Sequence, residues 1–148
     1  MWREQVQLGI VPYYMFMVRD TGARHYFEVP VARSLRIFNN AYAQTSGLCR
    51  TVRGPCMSAT PGKVLIDGVA EIGDEKVFLL KMIQGRDPSW VNRVFFARFD
   101  SQAHWLDELE PALDGDEFFF ARYMRAMGDG SWQPEWQEED DLSACEGA

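Results

Sequence analysis

No apolar run in this chain approaches the roughly 20 residues that a helix needs to span a bilayer. The opening residues Met1-Trp2-Arg3-Glu4-Gln5 lack a signal-peptide pattern. Together these absences set the expectation of a cytoplasmic protein with no membrane partner. Cysteine is scarce: Cys49, Cys56 and Cys145 are an odd number and far too few for a disulfide-built scaffold, so reduced thiols are the default. Cys49 and Cys56 are too far apart for C-x2-C, and Cys145 lies in a polar tail, which excludes a cysteine cage for zinc or iron. Ser46 and Ser58 have no nearby histidine and carboxylate pattern, which argues against a hydrolytic triad. Basic and aromatic residues do not interleave as they do on nucleic-acid platforms, so no DNA or RNA partner is expected.

What is present fits one globular domain. The chain has 148 residues, of which 47% are apolar, enough for a real core. The net charge of −7 is unevenly spread: residues 1–66 carry about +5 and residues 67–148 about −12. The arginines of the first part, among them Arg3, Arg19, Arg24, Arg50 and Arg53, are dispersed. A small phosphorylated or carboxylated ligand suits them better than a nucleic acid.

Hydrophobic pattern and turn residues divide the chain. Residues 2–8 read as the end of a helix stopped at Gly9. Residues 10–18, Ile-Val-Pro-Tyr-Tyr-Met-Phe-Met-Val, form a nearly continuous apolar run, as expected of a strand buried on both faces of a parallel sheet. The polar loop from Arg19 to His25 then lies beyond the carboxyl end of that strand, where α/β folds place ligands. Pro30 opens a helix to about Gln44, with Val31, Leu35, Phe38 and Tyr42 on one face. Residues 48–62 read as a long irregular loop, of the kind that is usually functional. It leads to a strand over residues 63–66 that Gly68 breaks. Residues 75–84 read as another strand, 100–113 as a short helix, and 118–127 as a further element. Trp90, Phe95, Phe96, Phe99 and Trp105 are expected to serve packing or a dimer surface, and Met15, Met17, Met57 and Met82 to fill core. From about Gly128 the chain becomes acidic, with Gln137-Glu138-Glu139-Asp140-Asp141, and is expected to be disordered. These divisions give residues 1–68, 69–127 and 128–148 as successive regions.

Within that layout Lys63 carries the most chemical information. In Thr60-Pro61-Gly62-Lys63-Val64-Leu65-Ile66, proline fixes one backbone angle and glycine permits a positive φ, so a tight turn aims one amine onto an apolar strand. A lysine so placed, partly desolvated, can act as a nucleophile toward an aldehyde cofactor such as pyridoxal phosphate. A solvated turn with a charged exit is the plainer reading of the same three residues. Other candidates are Tyr13 and Tyr14, one of which can face a ligand because adjacent strand residues point to opposite faces. Arg50 and Arg53 are candidate anion ligands in the loop before Lys63, and His25 is a candidate proton donor beside its structural alternative.

The strings Gly9-Ile10-Val11-Pro12-Tyr13-Tyr14, His25-Tyr26-Phe27, Pro30-Val31, Thr45-Ser46-Gly47 and Pro61-Gly62-Lys63 follow one another over residues 8–68. In this order and spacing the chain resembles the carboxyl-terminal part of the lysine 2,3-aminomutase family of radical SAM enzymes. The resemblance implies an α/β fold: the carboxyl-terminal portion of a partial β/α barrel, followed by a carboxyl-terminal extension over residues 69–127. It implies that Lys63 holds pyridoxal phosphate as a Schiff base and that the Arg19 or Asp20 position meets the amino-acid substrate; beside it, the residue reading puts Tyr13 or Tyr14 at the cofactor or substrate and Arg50 and Arg53 toward an anionic group. The family moves an amino group from carbon 2 to carbon 3 of an amino acid, using a [4Fe-4S] cluster, S-adenosylmethionine and the radical they generate.

The sequence departs from the family in two respects. The cluster-binding C-x3-C-x2-C is absent, so the cluster and S-adenosylmethionine would reach this chain only through a missing amino-terminal part. The expected partners are therefore that radical SAM half, a second copy of the chain, or both. The family's two ammonium-binding aspartates fall here on Arg19 and about Ala59. Guanidinium in place of carboxylate inverts what the pocket can pair, which favours an anionic or neutral amino acid over lysine. A one-residue shift of the gap before His25 would instead put Asp20 at the first position. The alternatives are a non-catalytic remnant acting as a binding or assembly module, and a small anion-binding α/β domain outside the family.

Overall fold

The computed structural model describes residues 1–19, 22–113 and 115–128. Its centre is a long antiparallel hairpin, and both strands are apolar enough to need cover. The hairpin strands are β3 (Gly62–Ile72) and β4 (Glu75–Gly85), turned at Gly73-Asp74. On one side β3 pairs antiparallel with β2 (Arg53–Ala59), and on the other β4 pairs with β5 (Val94–Arg98). A three-residue strand, β1 (Tyr14–Phe16), joins the outer edge of β2 in parallel. The order is therefore β1-β2-β3-β4-β5, an open mixed sheet with one parallel junction. Parallel pairing requires a crossover. Here the connection between β1 and β2 contains α2 (Arg24–Phe27) and α3 (Val31–Ala43), with α1 (Trp2–Gln7) preceding β1.

One face of this sheet holds the core. Cross-strand partners share a face. Accordingly Met57 with Val64, Val64 with Met82, Ile66 with Leu80, and Leu80 with Phe95 stack as a continuous apolar layer. Val64, Ile66, Phe78, Leu80 and Met82 are wholly inaccessible to solvent. Over them lie Val31 and Leu35 of α3, then Ala103, Trp105, Leu106, Leu109 and Phe120 from the segments after β5. The aromatic residues of that second half are packing: Trp90, Phe95 and Trp105 are buried, and the Phe95 ring meets that of Phe120 edge to face at 5.7 Å. A last helix, α4 (Ala121–Gly128), follows this aromatic cluster. The filler methionines Met17, Met57 and Met82 are buried as expected, and Met15 is half-buried.

Several elements differ from the sequence reading. The run at residues 10–18 is not a strand buried on both faces: only Tyr14–Phe16 is extended in pairing, and Ile10, Val11, Tyr13, Phe16 and Val18 are exposed. Its one partner is β2, and apolar character alone cannot reveal that a strand lies at an edge. The supposed loop at 48–62 instead contains a 3-10 helix (Gly47–Thr51) and β2. Gly54 and Pro55 hid that strand. Gly54 has φ +156°, and a Cβ there would come within 2.9 Å of Met15, so glycine is what lets β1 approach β2. Gly68 does not end β3, which continues to Ile72 across a register shift between Ile66 and Gly68. The helix expected at 100–113 is reduced to a 3-10 turn at Leu106–Glu108. Its following residues instead run along β5, with the Arg98 amide donating to the Glu110 carbonyl and that of Ala112 to Phe96. The helix expected from Pro30, the strand at 75–84 and the stop at Gly9 (φ +79°) match the structure closely. The acidic segment at 137–141 lies outside the described residues. So does Asp20, and no described helix is long and apolar enough to cross a membrane.

Candidate functional site

The turn between β2 and β3 fixes the direction of Lys63. Gly62 adopts φ +149°, and a Cβ at that position would sit 2.0 Å from the carbonyl oxygen of Gln84. Only glycine lets the start of β3 lie this close to the end of β4. The turn is also held from outside, because the Arg86 Nε donates to the Thr60 carbonyl at 2.6 Å and the Arg86 amide to that of Pro61 at 3.0 Å. Strand alternation then decides the faces. Val64 enters the core, so Lys63 and Leu65 point to the opposite face, with Ser58 and Gln84 as the cross-strand partners of Lys63.

On that face Lys63 is half-buried against the edge strand. Its Nζ lies 5.5 Å from the ring centroid of Tyr14 and 6.0 Å from that of Phe16, and the two rings are 4.9 Å apart. An ammonium over aromatic faces is attracted to them while losing part of its water. Cys56 is fully buried on the same face, beside Leu65. Burial pushes its thiol up to about 11, against the pull of the nearby Lys63 charge, so this sulfur stays protonated and inert at neutral pH.

The remaining candidates are distributed around this centre. Tyr13 is exposed and meets the Tyr14 ring edge-on at 4.3 Å. Arg53 is exposed directly across from Tyr14 in the parallel pair, and its amide donates to the Tyr13 carbonyl at 3.0 Å. Lys63, Tyr14 and Arg53 thus come from three adjacent strands. Arg50 is elsewhere, with its guanidinium 4.4 Å over the ring of Tyr42 at the end of α3. Arg19 is exposed beyond β1, and Ala59 is half-buried at the end of β2. His25 is exposed and pairs with Glu28 at 3.4 Å. Sequence reasoning passed over Phe16, Ser58 and Gln84 as neighbours of the lysine. The spacing of Tyr14 and Phe16 was a usable signal, since residues two apart in a strand share a face. Ser58 and Gln84 needed the register, which the sequence does not display.

A primary amine at a fixed turn beside two aromatic rings fits what pyridoxal phosphate needs of a Schiff-base lysine. Among the described residues no group of three His, Cys, Asp or Glu side chains could hold a metal.

Comparison with known proteins gives a distant relationship. A protein of Aquifex aeolicus (strain VF5) named "Putative L-lysine 2,3-aminomutase" is 29% identical over 101 residues, covering 68% of this chain and 26% of that protein. The chain therefore spans about a quarter of that relative's length. No protein-family profile matches the chain, and no solved structure matches it.

Proposed function

We propose that this chain is the cofactor-lysine part of an amino-acid 2,3-aminomutase of the pyridoxal phosphate-dependent radical SAM type. The observation that carries the reading is the geometry of Lys63, an amine aimed by Pro61-Gly62 onto the sheet face beside Tyr14 and Phe16. It is supported by the similarity to the Aquifex protein and by the parallel β1–β2 unit with its helical crossover, the connection from which a β/α barrel is built.

When bound, pyridoxal phosphate supplies a conjugated ring that stabilises an electron pair or unpaired electron beside a nitrogen substituent. The chain's own residues have other tasks. Lys63 presents a nitrogen that bonds to an aldehyde carbon only when deprotonated, and the Tyr14 and Phe16 rings keep water from one side of it. Ser58 and Gln84 place a hydroxyl and an amide on either side of the lysine. Arg53, across from Tyr14, is a candidate to pair a phosphate, and Arg19 beyond β1 would favour a substrate with an anionic or neutral distal group. The radical step requires a cluster-binding C-x3-C-x2-C, which this sequence does not contain.

A second reading is favoured by one observation. Tyr13 and Phe16 are exposed at the β1 edge of the sheet, and Tyr26 and Phe27 are exposed on α2. Apolar surface of that kind suits a chain whose task is assembly rather than chemistry. Gel filtration after incubation with pyridoxal phosphate separates the readings. The aminomutase reading expects retained cofactor that Lys63→Ala abolishes, and the assembly reading expects no retention by either form.

A further inference from the structure

On the core side of the sheet, away from Lys63, three basic residues line one cavity. Arg33 and Arg36 stand one turn apart on the exposed side of α3, and Lys76 faces them from the beginning of β4. With Val69, Phe99 and Ser101 they line a space of about 400 Å³, the size of a small-molecule site. The floor is rigid. The Phe99 ring packs on the fully buried Phe78 at 4.9 Å, and the Phe99 amide donates to the Lys76 carbonyl at 2.9 Å.

Charge makes this cavity unusual in an acidic protein. Arg33, Arg36 and Lys76 form no ion pair among the described residues. Glu71 is the cross-strand partner of Lys76, yet the Lys76 Nζ turns instead over the Phe99 ring, 4.1 Å from its centroid. The neighbouring Asp100 is occupied in its own turn, accepting from the Gln102 amide at 2.7 Å. The cavity thus has a cationic rim over an apolar, aromatic floor. Three cationic residues around one cavity match a dianion better than a single carboxylate, and two guanidinium groups offer the forked donors that phosphate oxygens accept.

We propose that this cavity binds a small phosphate monoester bearing a flat apolar group, with Lys76 leaving the Phe99 ring to join Arg33 and Arg36 on the phosphate and the apolar part taking its place on Phe99 beside Val69. The Ser101 hydroxyl stands ready as a further donor. The site is separate from Lys63, which projects from the other face of the sheet.

Calorimetric titration of the full chain with phenyl phosphate tests it. The expected result is one saturable site, weakened about tenfold or more by Arg36→Ala and by Lys76→Ala, the weight of one charge-assisted contact. Lys76→Arg should retain binding and Lys63→Ala should leave it unchanged, and inorganic phosphate should bind at least about fivefold more weakly for lack of the ring. All substituted side chains except Lys63 are exposed, and matched circular dichroism spectra verify that each variant is folded. The proposal is overturned by the absence of saturable binding at millimolar phenyl phosphate. It is equally overturned if the alanine variants bind like the parent, if Lys63→Ala removes the binding, or if inorganic phosphate binds as tightly.

Discussion

At the scale of single residues, the account rests on a glycine that has no substitute. Gly62 brings the start of β3 against the Gln84 carbonyl, and both its φ of +149° and the space available forbid a side chain. Gly62→Ala should therefore cost about 3 kcal/mol or more in chemical denaturation, through backbone strain and the displaced turn. Lys63 would lose its aim along with that stability. Phe78→Ala tests the core in the same assay. Its ring is fully buried and packed on Phe99, so the loss should be about 3 to 5 kcal/mol. The lysine itself was legible from the sequence because a Pro-Gly turn is a local signal. Its surroundings were legible only in part. Tyr14 and Phe16 follow strand alternation, whereas Ser58 and Gln84 depend on pairing between distant segments. Arg50, a candidate anion ligand from its charge and its place in the segment before Lys63, has its guanidinium over Tyr42, a contact set by how the 3-10 helix meets the end of α3.

At the scale of elements, capping and ion pairs set how firmly the periphery is attached. Before α4, Glu117 accepts from Arg125 at 2.7 and 3.1 Å, and that hydrogen bond holds the Glu117 carboxyl below its ordinary range. Glu28 is also held low: burial pushes it up, but hydrogen bonds from His25 and Arg24 more than offset this. A carboxylate with a depressed folded pKa contributes stability that is complete above its unfolded value and is lost as pH falls through the folded one. Both contributions should therefore be intact at neutral pH and fade below the ordinary glutamate value near 4.5. In thermal melts, Glu117→Gln should lie slightly below the parent at pH 7 and coincide with it at strongly acid pH. A gap that persisted in acid would assign the effect to something other than the ion pair. Elements were legible where one principle dominated. The helix after Pro30 had its proline start and apolar stripe, and β4 had length and apolar density. They were illegible where a neighbour decided. β2 carries a glycine and a proline that read as loop, and the segment after Asp100 runs along β5 because that edge needed partners for its amides.

At the scale of the whole molecule, the described chain covers one face of its sheet well and its amino-terminal edge poorly. Beyond β1 no further strand pairs among the described residues, and Ile10, Val11, Tyr13, Phe16, Tyr26 and Phe27 face solvent. Multi-angle light scattering on the isolated chain should show association that rises with concentration and falls in a Tyr26→Ser, Phe27→Ser double variant, which removes apolar surface without touching the core. A strictly monomeric parent at high concentration would refute that expectation. A mixed α/β architecture was legible in the sequence. An open, largely antiparallel sheet was not, because the pairing of β2 to β5 lies in long-range register. The central claim concerns Lys63, one of three lysines with Lys76 and Lys81. Limiting pyridoxal phosphate followed by borohydride and peptide mapping tests it most directly: the account predicts that the label falls predominantly on Lys63 and disappears in Lys63→Ala, whereas label spread evenly over the three lysines, or retained in that variant, would contradict it.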